Sequence, residues 1–240
     1  MQVGPYPGAA GKGRTSMQRV TVLNAKGGCG KTTLATGLAA YLRTLGHVTA
    51  LMDYDSQSSS LGWLSRRPDG APPIYGIPAT RPGAAGVTRS WRMRLPPDVE
   101  RVVIDTPAAM DLLQLQDLVA TSDVLLLPIL PSPMDIHAAS RFIGDLLLRG
   151  QTRRHGCRIG VVANRVREHT ITYRSLQSFL DTLDIPFVAT LHDSRGYLRA
   201  CESGLGLCEM GRLYTPRDQR EWEKLACWLE SCRETAAEIP

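Results

Sequence analysis

A glycine-rich turn between an apolar run and a helical pattern constrains the fold of this chain more than any other feature. The run Arg19–Asn24 (RVTVLN) is short and β-rich, and Thr32–Leu45 repeats apolar residues at helical spacing before a stop at Gly46. The turn between them reads Lys26-Gly-Gly-Cys-Gly-Lys-Thr-Thr33. A strand, a glycine-rich loop and a helix in this order form the context of a phosphate-binding loop.

The residue types of this loop suit a nucleotide triphosphate. The strict pattern G-x-x-x-x-G-K-[ST] fails only at its first position, which is Ala25. Glycines let backbone amides approach phosphate oxygens, Lys31 would neutralise the β- and γ-phosphates, and the Thr32 hydroxyl would bind Mg²⁺. A glycine turn without a ligand would not need two lysines and two threonines at this spacing. The predicted nucleotide-binding residues of the loop are Lys26, Gly27, Gly28, Cys29, Gly30, Lys31, Thr32 and Thr33.

Strand and helix patterns alternate along the rest of the chain. Further strands are predicted at Val48–Met52, Arg101–Ile104, Val124–Leu127, Arg158–Ala163 and Pro186–Thr190, with helices near 111–121, 134–149, 172–183, 195–203 and 217–232. The strands are nearly continuous in Val, Ile and Leu, as expected when both sheet faces are covered. This predicts a single α/β domain over 17–240, a mostly parallel sheet with helices on both faces. Residues 1–16 are predicted to be a disordered tail, and the Pro-, Gly- and Arg-rich residues 66–98 an irregular surface insertion.

Polar side chains follow the predicted strands at their carboxyl ends, where parallel sheets bind ligands. They are Asn24, Asp53, Asp55, Asp105 and Asn164. In particular, an apolar strand that ends in Asp105 would place one carboxylate beside Mg²⁺. Ser132 and Pro133 predict the beginning of the helix at 134–149, and this segment is assigned no chemistry.

Composition excludes several other classes. The six cysteines form no C-x-x-C pair and the histidines show no ligand spacing, which favours reduced thiols packed as small hydrophobes. The longest apolar run, Val124 to Leu130, is too short to span a bilayer and contains Pro128. A net charge of +5 permits binding to a polyanion without requiring it.

Lys26 lies five positions before Lys31, and this arrangement resembles the deviant Walker A motif of the ParA/MinD family of partition and positioning ATPases. The resemblance covers nearly the whole chain from Met17 onward. It implies a single-domain P-loop ATPase that uses ATP and Mg²⁺ and forms a homodimer with the nucleotides sandwiched between the subunits. In that family the extra lysine contacts the partner subunit's nucleotide, which supplies a cation in trans to the developing phosphate charge.

The same resemblance assigns the strand-end residues. Asp53-Tyr-Asp-Ser-Gln57 resembles the first switch, so Asp55 would position the attacking water and Asp53 would lie near the water shell of the metal. Ser56 departs from the family, which usually has proline there. Val102–Pro107 resembles Walker B, with Asp105 binding Mg²⁺ through water. Asn164 resembles the asparagine that reads the adenine edge, although an asparagine in an ordinary strand-end turn is a strong alternative.

Non-specific DNA binding is the surface interaction that the resemblance implies. Eight arginines lie from Arg141 to Arg174, against only Asp145 and Glu168, and arginines bind DNA phosphates without sequence preference. A solvated basic face is the alternative. The family implies a cytoplasmic, nucleoid-associated protein and a ParB-like or McdB-like adaptor that stimulates hydrolysis. The cargo would be a plasmid, a chromosome locus, a chemoreceptor cluster or a carboxysome.

Two other functions remain open on the same fold. A MinD-like switch would end in a basic helix on lipid, yet residues 221–240 contain five glutamates against Lys224 and Arg233, which predicts a packed helix and no membrane contact. A metabolic ATP-dependent enzyme is the second alternative. Its iron–sulfur form would need two cysteines per subunit, and none occurs between Cys29 and Cys157.

Overall fold

Seven strands form one sheet in the computed structural model, which describes residues 17–79, 95–148, 152, 154–168, 170–182 and 185–237. The strands are β1 (Gln18–Val22), β2 (Thr49–Asp53), β3 (Tyr75–Pro78), β4 (Arg101–Asp105), β5 (Val124–Ile129), β6 (Arg158–Val166) and β7 (Phe187–His192). The helices are α1 (Lys31–Thr44), α2 (Ser59–Ser65), α3 (Leu112–Thr121), α4 (Pro133–Leu148), α5 (Ile171–Asp181), α6 (Arg195–Ser203) and α7 (Pro216–Ala237), with 3₁₀ turns at Leu207–Glu209 and Gly211–Leu213. The strand order is β3-β2-β4-β1-β5-β6-β7, and every neighbouring pair is parallel.

Helices cover both faces of the sheet, as the apolar strands predict. Along β5, Val124 and Leu126 pack into one core and Leu125 and Leu127 into another, because successive side chains of a strand point to opposite faces. The first core also receives α1, α2, α6 and α7, and the second receives α3, α4 and α5. The predicted α/β fold is therefore confirmed.

The predicted irregular insertion at 66–98 is wrong in one part. Tyr75–Pro78 forms the edge strand β3, which pairs in parallel with β2, and its Ile77 is buried. Pro78 is tolerated because an edge strand leaves one side of its backbone without a partner strand. Residues 80–94 of that insertion, and the predicted tail at 1–16, lie outside the described residues.

Two tryptophans of helix α7 pack it against the rest of the protein. Trp222 is fully buried, and a Cβ added to Gly37 of α1 would lie 3.0 Å from its ring. Similarly, a Cβ on Gly160 of β6 would lie 2.6 Å from Trp228. Each glycine therefore makes room for one indole ring. The prediction of a packed terminal helix is confirmed, and across the described ranges every helix is too short or too polar to span a bilayer.

Candidate functional site

The carboxyl ends of β1, β2, β4 and β6 bring the predicted polar residues to one edge of the sheet. Asp53 and Asp105 lie opposite each other in the β2–β4 register, and Val22 of β1 pairs with Asp105 on the other side. The loop after β1 therefore begins beside both carboxylates. Strand β6 continues to Val166, beyond the predicted end at Ala163. Asn164 therefore lies within the last residues of this strand and not after it.

The backbone of the glycine-rich loop suits an anion. Gly28 and Gly30 have φ angles of 74° and 94°. This left-handed conformation is unfavourable for any residue that has a Cβ atom. Gly30 is also the N-cap of α1 and has no side chain with which to cap the helix. The first amides of α1 and the positive end of its dipole therefore remain available to phosphate oxygens.

Lys31 lies across this loop. Its Nζ donates to the carbonyl oxygens of Asn24 and Lys26, both at 3.2 Å, and the residue is 8% exposed. An ammonium group has three N–H donors. The two bonds hold the Lys31 ammonium group over the loop and leave its third donor for a phosphate oxygen. Cys29 is buried beside it, with its Sγ donating to the Lys26 carbonyl at 3.3 Å. Burial raises the pKa of the Cys29 thiol, against the smaller opposing effect of the Lys31 charge.

Asp105 has a buried side chain whose two oxygens lack hydrogen-bond donors among the residues that the structure describes. It has no exposed surface, and within the described residues neither oxygen accepts a hydrogen bond of normal geometry. Burial raises the pKa of Asp105 to about 7; the Thr32 hydroxyl and the Lys31 ammonium oppose the rise, and the charge of Asp53 adds to it. Such a group is costly unless a cation compensates it.

A divalent cation fits this position. No group of three or more His, Cys, Asp and Glu side chains in the described part of the chain is arranged to hold a metal ion. Thr32 and Asp105 would face the ion from the protein side, and the remaining oxygens would come from phosphate and water. That is the usual coordination of Mg²⁺ at nucleotide sites.

Asp53 organises the segment that follows it. Its Oδ1 accepts the amide of Asp55 at 2.9 Å, and its Oδ2 accepts the amides of Ser60 and Leu61 at 3.0 and 3.1 Å. The last two belong to the first turn of α2, so the fully buried Asp53 caps that helix. The position near the water shell of a metal stays a prediction, while the carboxylate already has three protein partners.

Asp55 lies in a turn that hydrogen bonds hold in place. Its Oδ1 accepts the amide of Gln57 at 3.0 Å, and its carbonyl accepts the amide of Ser58 at 2.9 Å. Ser58 has a φ angle of 50°, which closes the turn before α2. These bonds fix the backbone around Ser56, where the family usually has proline. Asp55 itself is half-buried at the same edge as the loop.

Lys26 pairs with Asp135 of its own chain. Lys26 Nζ lies 2.7 Å from Asp135 Oδ1, and the two side chains are 37% and 8% exposed. Asp135 also accepts a hydrogen bond from the Ser132 hydroxyl, whose Oγ accepts the Asp135 amide at 3.1 Å. Ser132 therefore caps α4 as predicted. The segment that contains Asp135 was assigned no chemistry from the sequence, since Ser-x-x-Asp at a helix start already has a structural explanation.

Two asparagines hold the loop from either side. Asn24 Nδ2 donates to the Pro128 carbonyl at 2.8 Å, and its Oδ1 accepts the Lys26 amide at 3.0 Å. Asn164 Nδ2 donates to the Cys29 carbonyl at 2.8 Å. Sequence reasoning placed Asn24 at this edge but missed its contacts. The adenine-reading role of Asn164 stays a prediction.

Comparison with known proteins identifies the family. A family model for the CobQ/CobB/MinD/ParA nucleotide binding domain matches residues 20–207, which is more than three quarters of the chain. The chain belongs to this family. The resemblance inferred from Lys26 and Lys31 is therefore confirmed.

Relatives within the family cover most of the chain. Maintenance of carboxysome distribution protein A from Halothiobacillus neapolitanus is 28% identical over 196 residues, which cover 80% of this chain and 87% of the relative. Apo McdA from Cyanothece superposes with a TM-score of 0.67 at 17% identity, covering 90% of this chain and 99% of that chain. A putative plasmid partition protein from Borrelia burgdorferi B31, bound to AMPPNP, gives 0.69 at 16% identity, with coverages of 90% and 100%. These structures share the P-loop fold of the family.

Proposed function

We propose that this protein is a slow ATPase that dimerises on ATP, binds DNA without sequence preference and positions a cargo through partner-stimulated hydrolysis. One observation carries the proposal. A second lysine, Lys26, lies at a phosphate loop that also has Lys31, Thr32 and an uncompensated Asp105 beside it. A loop that only bound nucleotide would need Lys31 alone.

Binding begins with the backbone of the loop and α1. The glycine turn and the uncapped first turn of α1 would receive the β- and γ-phosphates, and Lys31 is already aimed across the loop. Bound Mg²⁺ would neutralise charge on the phosphate oxygens. Thr32 and Asp105 would hold that ion from the protein side, Asp105 through a water molecule.

Hydrolysis would depend on Asp55. Its carboxylate is half-buried, and the Gln57 amide and the Asp53 cap fix the turn around it. A carboxylate in that position can accept a hydrogen bond from water and orient it toward the γ-phosphate. Turnover would be slow in a lone subunit, because phosphoryl transfer also needs cationic charge at the transferred group.

Lys26 would supply that charge to the partner subunit. Its side chain is 37% exposed on a flexible four-carbon stem, so it can move when the ion pair with Asp135 opens. In the closed dimer its Nζ would exchange Asp135 for phosphate oxygens of the nucleotide in the other subunit. Dimer formation and hydrolysis are then coupled, since each subunit completes the site of its neighbour.

The arginines divide into sets that face different directions. Six of the eight arginines between Arg141 and Arg174 lie in described residues, and all six are exposed: Arg141, Arg154, Arg158, Arg165, Arg167 and Arg174. Arg158 and Arg165 stand near opposite ends of β6, about 23 Å apart at 3.3 Å per residue. The basic stretch is therefore not one patch.

Two helix layers offer alternative DNA surfaces. Arg141 and Arg174 lie on α4 and α5, whereas the exposed Arg199 and Arg220 lie on α6 and α7 across the sheet. Phosphate contacts from either pair would be sequence-independent and salt-sensitive. We propose that one of these layers binds DNA in the ATP-bound dimer, which would make the protein nucleoid-associated in the cytoplasm.

The relative from Halothiobacillus neapolitanus suggests the cargo. Its name assigns it to carboxysome distribution, and it aligns with 80% of this chain. We propose a carboxysome or a comparable protein assembly as cargo, with an McdB-like or ParB-like adaptor as the stimulating partner. A plasmid or chromosome locus is the corresponding cargo of a partition system, to which the Borrelia structure is assigned by name.

A DNA mobility-shift series tests the proposal. Wild-type protein with ATP, ADP or no nucleotide would be titrated onto a random-sequence duplex at several salt concentrations, with sedimentation measured in parallel. We expect a dimer and a DNA shift with ATP only, and a Lys31→Ala variant should show neither. Equal DNA binding with ATP and ADP would refute the nucleotide switch, and ATP-dependent binding to anionic liposomes would favour a membrane switch instead.

Paired arginine variants locate the surface. Arg199→Ala combined with Arg220→Ala is compared with Arg141→Ala combined with Arg174→Ala. In the dimer, the double variant of the contacting pair removes four arginines. The slope of log K against log salt should then fall by up to about 4, since each phosphate contact contributes about 0.9. The other pair is the matched control. Unchanged slopes for both pairs would exclude both helix layers.

A further inference from the structure

Asn164 is in hydrogen-bond contact with two backbone segments at once. Its Nδ2 donates to the Cys29 carbonyl at 2.8 Å, and its Oδ1 accepts the Arg165 amide at 3.0 Å. The residue is 5% exposed. A carboxamide has two N–H donors and two acceptor lone pairs, so half of this capacity is used by the protein itself.

The contact with Cys29 sets the direction of the next amide. A trans peptide group is planar, so its carbonyl and the following N–H point in opposite directions. The Cys29 carbonyl points to Asn164 on β6, and the Gly30 N–H therefore points away from β6. This amide belongs to the turn that presents backbone N–H groups to phosphate. Asn164 thus controls which way one of those donors faces.

Asn164 also lies directly against Gly30. A Cβ built on Gly30 would be 2.1 Å from Asn164 Nδ2, so no side chain at position 30 is compatible with this packing. Gly30 keeps its left-handed φ of 94° at the N-cap of α1. The Asn164 carboxamide therefore packs directly against the Gly30 backbone.

The other end of the carboxamide is held by an irregular strand. Arg165 has a φ of 51°, and the β6–β7 register shifts between Ala163 and Val166. A left-handed arginine is a strained conformation, so the surrounding structure must maintain it. This bulge turns the Arg165 amide onto Asn164 Oδ1 and fixes the carboxamide plane.

We infer that Asn164 is a positioning residue of the phosphate loop, which orients the Cys29–Gly30 peptide for phosphate whether or not a base is present. The inference rests on the proposed function, because it assumes that the loop binds the phosphates of ATP. Removing the carboxamide then weakens every ligand that uses the loop, whatever its base.

Ligands with and without a base separate the two roles. Dissociation constants for ATP, GTP and inorganic tripolyphosphate, each with Mg²⁺, would be measured by calorimetry for wild type and Asn164→Ala. We expect the variant to lose about tenfold in affinity for tripolyphosphate, as for one hydrogen bond to the loop, and at least as much for ATP and GTP. The matched control is Gln177→Ala, which removes an exposed carboxamide from α5 and should change nothing.

The opposite pattern overturns the inference. Loss of ATP affinity with unchanged tripolyphosphate affinity would show that Asn164 acts on the base and does not position the loop. Failure of the wild type to bind either ATP or tripolyphosphate would overturn the proposed function, and this inference with it. The first result leaves nucleotide binding by the loop intact, so the two failures are distinguishable.

A measurement on the wild type covers the case in which Asn164→Ala does not fold. The side-chain amide resonances of Asn164 would be followed by NMR during titration. Tripolyphosphate, which has no base, should shift them, because phosphate binding acts on the Cys29–Gly30 peptide to which the carboxamide is bonded. A response to ATP that tripolyphosphate does not reproduce would contradict a role in positioning the loop.

Discussion

Asp105 gives the protein a pH-dependent stability that Asp105→Asn should remove. In the metal-free and nucleotide-free protein, burial raises the pKa of this carboxyl from 3.8 to about 7. The folded state then binds the proton more tightly than the unfolded state does. The stabilisation from this proton is fully present below about pH 4 and is lost as the pH rises through 7.

The magnitude follows from the two pKa values. Between pH 5 and pH 7 the unfolded chain has an ionised Asp105 and the folded chain a protonated one. At about 1.4 kcal/mol per pH unit, raising the pH from 5 to 8 should lower the free energy of unfolding by about 3 kcal/mol through this residue. For a chain of this size that is a fall of roughly 6–12 °C in Tm.

Urea denaturation at pH 5, 6, 7 and 8, with EDTA present, measures this effect. All other ionisable residues are common to the two proteins, so the difference between wild type and Asp105→Asn isolates Asp105. Any constant offset from burying the Asn carboxamide also cancels from the pH dependence. Parallel profiles for the two proteins would refute the assignment of Asp105 as a buried, uncompensated acid.

Three further substitutions test separate parts of the molecule. Lys26→Gln should keep ATP binding and abolish the dimer that a non-hydrolysable ATP analogue induces, as measured by sedimentation; a surviving dimer would contradict a role in trans. Asp55→Asn should bind ATP normally and lower phosphate release by about 10²-fold, and wild-type turnover would exclude it as the group that orients water. Gly204→Ala should cost about 3 kcal/mol in denaturant melts, because φ is 68° and a Cβ would lie 2.5 Å from the Arg66 carbonyl carbon. Gly70→Ala, where a Cβ would meet nothing within 4 Å, is its control, and equal costs at both positions would contradict the packing.

Local sequence signals predicted the main frame of the fold and missed its shortest elements. Six strands and six helices follow from apolar runs and helical spacing. Strand β3 has only four residues, with Gly76 and Pro78 among them, and becomes a strand through its pairing with β2. Helix α2 is seven residues long, too short for a periodic pattern, and its first turn is capped by Asp53 from the preceding strand.

The site could be predicted where its residues are contiguous. The loop from Lys26 to Thr33 and the strand ending in Asp105 have recognisable spacing, so their positions at one edge follow from the fold. The ion pair of Lys26 with Asp135 and the hydrogen bond of Asn164 to Cys29 join distant parts of the chain. No local pattern encodes such contacts, since they depend on which strands become neighbours.

The packing of Trp222 on Gly37 has a consequence for biosynthesis. Helix α1 follows the glycine-rich loop, and its Tyr41 ring lies 5.6 Å from the Trp222 ring. A ribosome makes α1 long before α7, so a growing chain leaves this side of α1 in contact with water or chaperones. The helix that anchors the loop reaches its final packing only after residues 216–237 have emerged. A stalled or truncated nascent chain would therefore contain every residue of the loop and still lack its support.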